Sequence, residues 1–414
     1  MTLWLAPGLA WALICAAGAA WLGRRLRVLP QLLLLLAAAA VCLVLVLSLK
    51  ARGPGLTVPG LGGLGLTRLP FGILVGGWAA LTLQQLGSGA ARLSGSGIAS
   101  TVVVGVAACA ALVVQGVLPM VLLLSFMAAF TWVRWQHLVG PLLPLRSLGR
   151  QTALALCALL AGAVLLPSLR LGAVPAAVVG MLWVGGLGAL TGLLPVSSWV
   201  GAISAIPQAE AGLWRIWLIP VAVVALARVM AGGPPALTEV IQLLLVSLGL
   251  ATAIFWACAA CVAAPERRYW RVLQADAGLM CVGIGSGDLT GMAAALVLIV
   301  AHWLAGTALG DPATTRSRLL TWVGLTGIPP FGGFAGRFLV VAAVTFMGPE
   351  EVAVALLALG LLLAACGFGV RDCLRQPGSG IRLRELAPTA SGLGVLALGL
   401  VVLPMVGGAF GSPL

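Results

Sequence analysis

Gly324-Leu-Thr-Gly-Ile-Pro-Pro-Phe-Gly-Gly-Phe-Ala-Gly-Arg-Phe338 is an apolar segment that interrupts its own helix and then presents a single arginine. Pro329 and Pro330 remove two consecutive backbone donors and the glycines around them loosen the same turn, so a spanning helix unwinds here. Such a break is tolerated only where protein or a water-filled cavity covers the freed carbonyls. Arg337 follows about two turns later, and a guanidinium inside a hydrophobic segment is costly enough to demand a partner or a function.

The composition around this segment excludes a soluble core with a polar coat. Of 414 residues, 61% are hydrophobic and only 8% are charged. Apolar windows of about 18 to 25 residues, the length that crosses the hydrocarbon of a bilayer, recur along the chain and leave no room for a soluble domain. The net charge of +13 is not a nucleic-acid signal, because the arginines stand at the ends of apolar runs rather than along one face. The first window ends in Arg24, Arg25 and Arg27 without a small-residue cleavage site and is read as a span, not a signal peptide.

Windows at 3–22, 30–49, 68–87, 97–115, 117–134, 151–168, 173–195, 212–231, 236–262, 268–286, 289–309, 317–346, 350–369 and 387–408 predict an all-α polytopic membrane protein of about 14 helices. Loops after odd-numbered spans carry nearly all of the arginine, against Lys50, Arg52, Arg68 and Arg170 on the other side. By the positive-inside rule both termini then lie outside the cytoplasm, as in a bacterial inner membrane. Pro220 in the eighth window and Pro329-Pro330 in the twelfth are interruptions at comparable places, the mark of internally repeated transporters. The expected organisation is helices 1–3 over 1–96, a first five-helix repeat over 97–231, an inverted second repeat over 236–369, and helix 14 over 387–408, all in one membrane domain.

Few ionisable residues lie inside the windows. Arg337 either lines a hydrated path or is structural. His302, deep in the eleventh window, either relays protons or is a neutral, hydrogen-bonded histidine. Asp276 is expected to pair with Arg271, or else to reach a cavity. Glu210 and Arg215, five residues apart, read as an interfacial ion pair. Arg228 reads as an interface anchor, and Trp132, Arg134, Trp135 and His137 as an aromatic-basic belt. Cys258 and Cys261 share a Cys-x-x-Cys spacing with no further ligands near them and are read as buried thiols rather than a metal site. No phosphate loop, dinucleotide fingerprint, haem histidine pair or iron–sulfur cysteine set is present in the sequence. No cofactor, metal or catalytic chemistry of the chain's own is expected; conduction, transport or assembly is, with lipid and other membrane subunits as partners and no nucleic acid.

The segment Gly327-Ile-Pro-Pro-Phe-Gly-Gly-Phe-Ala-Gly-Arg-Phe338 resembles the broken twelfth helix of the antiporter-like subunits found in respiratory complex I, membrane-bound hydrogenases and Mrp-type cation/proton antiporters. Their pattern there is Gly-Ile/Leu-Pro-Pro-x-x-Gly-Phe-x-x-Lys-Phe/Tyr, and this chain departs from it in carrying arginine at 337. Pro195-Val-Ser-Ser-Trp199, Pro207 and Arg228 are similar to the family's segment around the seventh and eighth helices. Pro265-Glu-Arg-Arg268 with Gln274-Ala-Asp-Ala-Gly278 is similar to its entry to the tenth, and His302 falls where the family has a histidine. The resemblance implies fourteen helices, outside termini and, without a long lateral helix, the smaller type of subunit.

It also implies where a proton path would run, and those places are apolar here. The family's relay glutamate falls near Met127 or Ala128, and its lysines near Leu190, Pro220 and Gly306; no Asp, Glu or Lys occurs between residues 93 and 209. Asp276, His302 and Arg337 remain as a shortened polar axis. The expectation is a divergent antiporter-like subunit of a complex I-type or hydrogenase-like energy-converting complex that lacks a full proton path. The rivals are a scaffold subunit with no ion path and a free-standing secondary transporter.

Overall fold

The computed structural model describes residues 77, 95–113, 117–140, 143–170, 174–195, 203, 206, 208–309, 315–329, 331–375, 391–395 and 397–398. Nearly all of the first three windows and most of the fourteenth lie outside the described residues. Every regular element among the described residues is helical. The chain forms two compact units, one from Met1–Leu190 with Gly201–Thr238, the other from Thr191–Val200 with Glu239–Leu414.

The first unit contains α1 (Gly95–Val113), α2 (Val117–Val139), α3 (Leu143–Arg170) and α4 (Ala176–Thr191), the last lying in it as far as Leu190. Then come α5 (Gln208–Leu213), a π-helical turn (Trp214–Leu218) and α6 (Ile219–Gly232), which run on as one rod. On α2 the buried residues Met120, Leu124, Met127, Ala128, Thr131 and Trp135 recur every three or four positions and form one stripe. Its opposite face carries Leu118, Leu122 and Phe126, all about half exposed. Leu154 and Val164 of α3 and Met181 of α4 are likewise exposed. A helix apolar on its outward face as well as its inward one is solvated by lipid.

The rod of α5, π turn and α6 is buried on nearly every side from Glu210 to Ala227. The sequence suggested a break at Pro220; the structure keeps the helix and inserts the π turn directly before it, with Pro220 in the first turn of α6. Proline lacks an N–H and crowds the carbonyl four residues back, and one widened turn absorbs both problems without unwinding the rod.

The second unit contains α7 (Pro235–Cys261), which lies in it from Glu239 onward, α8 (Pro265–Gly285), α9 (Leu289–Ala308), α10 (Thr315–Leu325), α11 (Gly332–Val344) and α12 (Pro349–Leu374). α8 and α9 form a hairpin closed by Asp288, which caps α9 by accepting from the Gly291 N–H at 2.7 Å and from the Ser286 hydroxyl at 2.7 Å. α8 packs on α9, α11 and α12, and α9 packs on α11. Between α10 and α11 the helix is broken, with Gly327 at φ 80°. A left-handed backbone is where glycine is least strained, so the break adopts it at little cost.

Six helices of the described residues are long and apolar enough to cross a membrane. With lipid-facing apolar surfaces and charges held inside, the chain is an integral membrane protein of the all-α class.

Candidate functional site

Three helices of the second unit bring Asp276, His302 and Arg337 together, all at most 1% exposed. Asp276 lies near the middle of α8, a helix buried on nearly all sides from Arg268 to Gly285. Arg337 projects from the first turns of α11, immediately beyond the break, and His302 from the second half of α9. Glycine sets the spacing. A Cβ on Gly336 would meet Leu298 of α9 at 2.7 Å, and one on Gly278 would meet the Gly249 carbonyl of α7 at 2.6 Å. These close approaches let the side chains reach one another directly.

Arg337 holds Asp276 with two parallel bonds: Nε donates to Oδ1 at 2.8 Å and Nη2 to Oδ2 at 2.8 Å. Its remaining Nη1 donates to the Leu325 carbonyl at 2.6 Å. Leu325 ends α10, so this carbonyl is one that the helix break releases, and the Cys366 thiol of α12 donates to it as well, at 3.3 Å. The arginine therefore closes the break it follows. His302 Nε2 lies 2.8 Å from Asp276 Oδ2, and the Tyr269 hydroxyl donates to the His302 carbonyl at 3.0 Å.

The fork of a guanidinium matches a carboxylate, and such a pair is a neutral unit in a medium that punishes net charge. A lysine could lose its proton under desolvation; arginine keeps it at any relevant pH. The arrangement can hold three helices and a frayed end in register, and it presents a fixed positive charge.

The expected Asp276–Arg271 pair is not formed. Positions five apart on an α-helix are separated by about 140° and face different neighbours. Arg271 turns back to donate to the Ala259 carbonyl at 2.7 Å. Pro329 lies in the break and is exposed, and Pro330 lies outside the described residues. Arg228, read as an interface anchor, instead donates to the Ala111 carbonyl at 3.0 Å and to that of Leu112, satisfying the end of α1. Glu210 accepts from Arg134 of α2 at 3.0 Å, and Arg215 sits 2% exposed in the π turn. Cys258 is exposed, while the Cys261 thiol donates to the Leu361 carbonyl at 3.5 Å.

Sequence reasoning missed the roles of Arg134, Tyr269, Cys366 and the Arg268–Asp372 pair. The only tyrosine in an otherwise apolar chain was the available signal for one of them. The positions where the family resemblance would place relay charges are closed by apolar residues: Met127 and Ala128 are 0% exposed, Leu190 is 1% exposed, and Pro220 and Gly306 are buried.

No family model matches this sequence, and no curated protein matches it either. Solved structures do resemble it in fold. A chain of the Mrp complex from Dietzia sp. superposes with a TM-score of 0.73 over 98% of this chain and 96% of its own, at 17% identity. A chain of the membrane-bound sulfane sulfur reductase, an archaeal respiratory membrane complex, gives a TM-score of 0.76 over 97% of this chain and 95% of its own, at 14% identity. The fold is the one that the resemblance of residues 327–338 to antiporter-like subunits implied.

Proposed function

We propose that this chain is an antiporter-like subunit of a multi-subunit, energy-converting membrane complex, in which it supplies architecture and fixed charge without a complete proton path of its own. The observation that carries this reading is the fold likeness, which spans nearly the whole of this chain and of subunits from two membrane complexes. It supports fourteen helices in two inverted repeats and the outside termini that the arginine distribution suggests.

The second part of the proposal rests on chemistry. Where relay charges are expected, the described residues are Met, Ala, Leu, Pro and Gly, and all are buried. The fully buried carboxylate Asp276 is paired with a guanidinium, which keeps its proton at any relevant pH. Proton transfer needs groups that both take up and release a proton, and a row of methyl and methylene groups provides none.

Mild-detergent purification of the native protein tests the assignment. Co-purification with other membrane subunits, at least one of them a redox subunit or a second antiporter-like chain, is the expected result. A chain that purifies alone and carries a solute across vesicle membranes would instead be a free-standing secondary transporter.

A further inference from the structure

The outward stripe of α12 ends in charge. Leu357, Gly360, Ala364 and Gly367 recur every three or four positions and are exposed, and Arg371 in the last turn and Arg375 at the C-cap continue the same stripe. Leu374 stands beside them and is 69% exposed, so the last turn still faces the apolar medium that solvates the rest of the helix. Charges at the end of a lipid-facing surface need water or a counter-ion.

Among the described residues no group hydrogen-bonds to either guanidinium. Asp372 is the only acid in the second half of α12, and the buried Arg268 of α8 takes it, with Nη1 donating to Oδ2. Arg371 Nη2 stays 3.7 Å from the other carboxylate oxygen, beyond hydrogen-bond range. Its guanidinium lies over the Phe368 ring, 4.9 Å from the centroid, and its side chain is 51% exposed. Arg375 is exposed as well, and its backbone N–H donates to the Arg371 carbonyl at 3.2 Å. Like charges one turn apart repel, so an anion that both arginines share is stabilising.

Arg268, Arg371 and Arg375 against the single carboxylate of Asp372 leave positive charge in excess at this end of α12. Guanidinium nitrogens only donate and phosphate oxygens only accept, and the fork of one fits the other. A lipid phosphate also brings acyl chains that suit the exposed Leu357, Leu363 and Leu374 of the same face, which an acidic protein segment does not. We propose that Arg371 and Arg375 bind the phosphate of an anionic phospholipid whose acyl chains run along the outward stripe of α12, with the Phe368 ring holding Arg371 in place. The site uses no residue of the Asp276 cluster and does not depend on which complex the chain enters.

Photolabelling tests this. The full-length protein, in the form in which it purifies, is placed in nanodiscs that contain a trace of phosphatidylglycerol with a photoactivatable group beside its headgroup, or of phosphatidylcholine with the same group. Phosphatidylglycerol is expected to label the last three turns of α12 several-fold more than phosphatidylcholine does. Arg371→Gln/Arg375→Gln should bring its labelling down to the phosphatidylcholine level, and Arg371→Lys/Arg375→Lys, which keeps both charges, should retain most of it. Equal labelling of the native protein by the two lipids overturns the proposal, and this comparison needs no variant. Labelling that persists in the glutamine variant also overturns it, as does a partner subunit that covers the arginines and leaves the stretch unlabelled by either lipid.

Discussion

Arg337 has two structural duties at once, neutralising Asp276 and capping the carbonyl that the helix break exposes at Leu325. Arg337→Ala leaves a carboxylate buried without its cation, and the expected loss is about 3–5 kcal/mol in thermal unfolding of the detergent-solubilised protein. Arg337→Lys keeps the charge but gives up the fork, so it should fall between Arg337→Ala and the native chain. His302→Phe removes one bond to the carboxylate and is expected to cost less, about 1.5–3 kcal/mol. At this scale the sequence named all three members of the cluster but not their pairing. Arg271 is five residues from Asp276 and Arg337 is sixty-one, and nothing in a linear sequence says that α11 passes closer to Asp276 than its own helix neighbour does.

The broken helix was the most legible element, because two prolines and five surrounding glycines dictate its course whatever packs against it. The conformation at Gly327 carries a direct prediction. An alanine there would adopt a left-handed backbone and place its Cβ 3.1 Å from Arg337 Nη1. Gly327→Ala should therefore destabilise by about 1–3 kcal/mol and weaken the Arg337 clamp; the unfolding midpoint and the oligomeric integrity of the complex check it. Pro220 was harder to read. The letters announce a proline in an apolar run, but whether the helix breaks, kinks or widens depends on what surrounds it. Here the rod is packed on nearly all sides, which favours a π turn that keeps the apolar surface buried over a gap that would expose carbonyls.

For the whole molecule, membrane residence follows from composition, since 61% hydrophobic residues cannot be hidden from water by a chain of this size. The fold class was legible because hydrophobic windows of spanning length are a strong signal and one motif is specific; likeness to subunits of two membrane complexes agrees with both. The partners of Arg134, Arg228 and Arg268 were not, because an arginine at a helix end looks the same whether it meets lipid headgroups, a carbonyl or an acid. On the proposed reading, the internal charges of the molecule hold helices together rather than relay protons.

Coupled proton flux in proteoliposomes of the intact complex tests that reading most directly. The variant to compare is Asp276→Asn/Arg337→Gln, which removes both charges while leaving groups that can hydrogen-bond across the same gap. Flux close to the native level in the assembled double variant is expected if the pair is architectural. Loss of a large share of the flux from a complex that is still assembled and still turning over would contradict it.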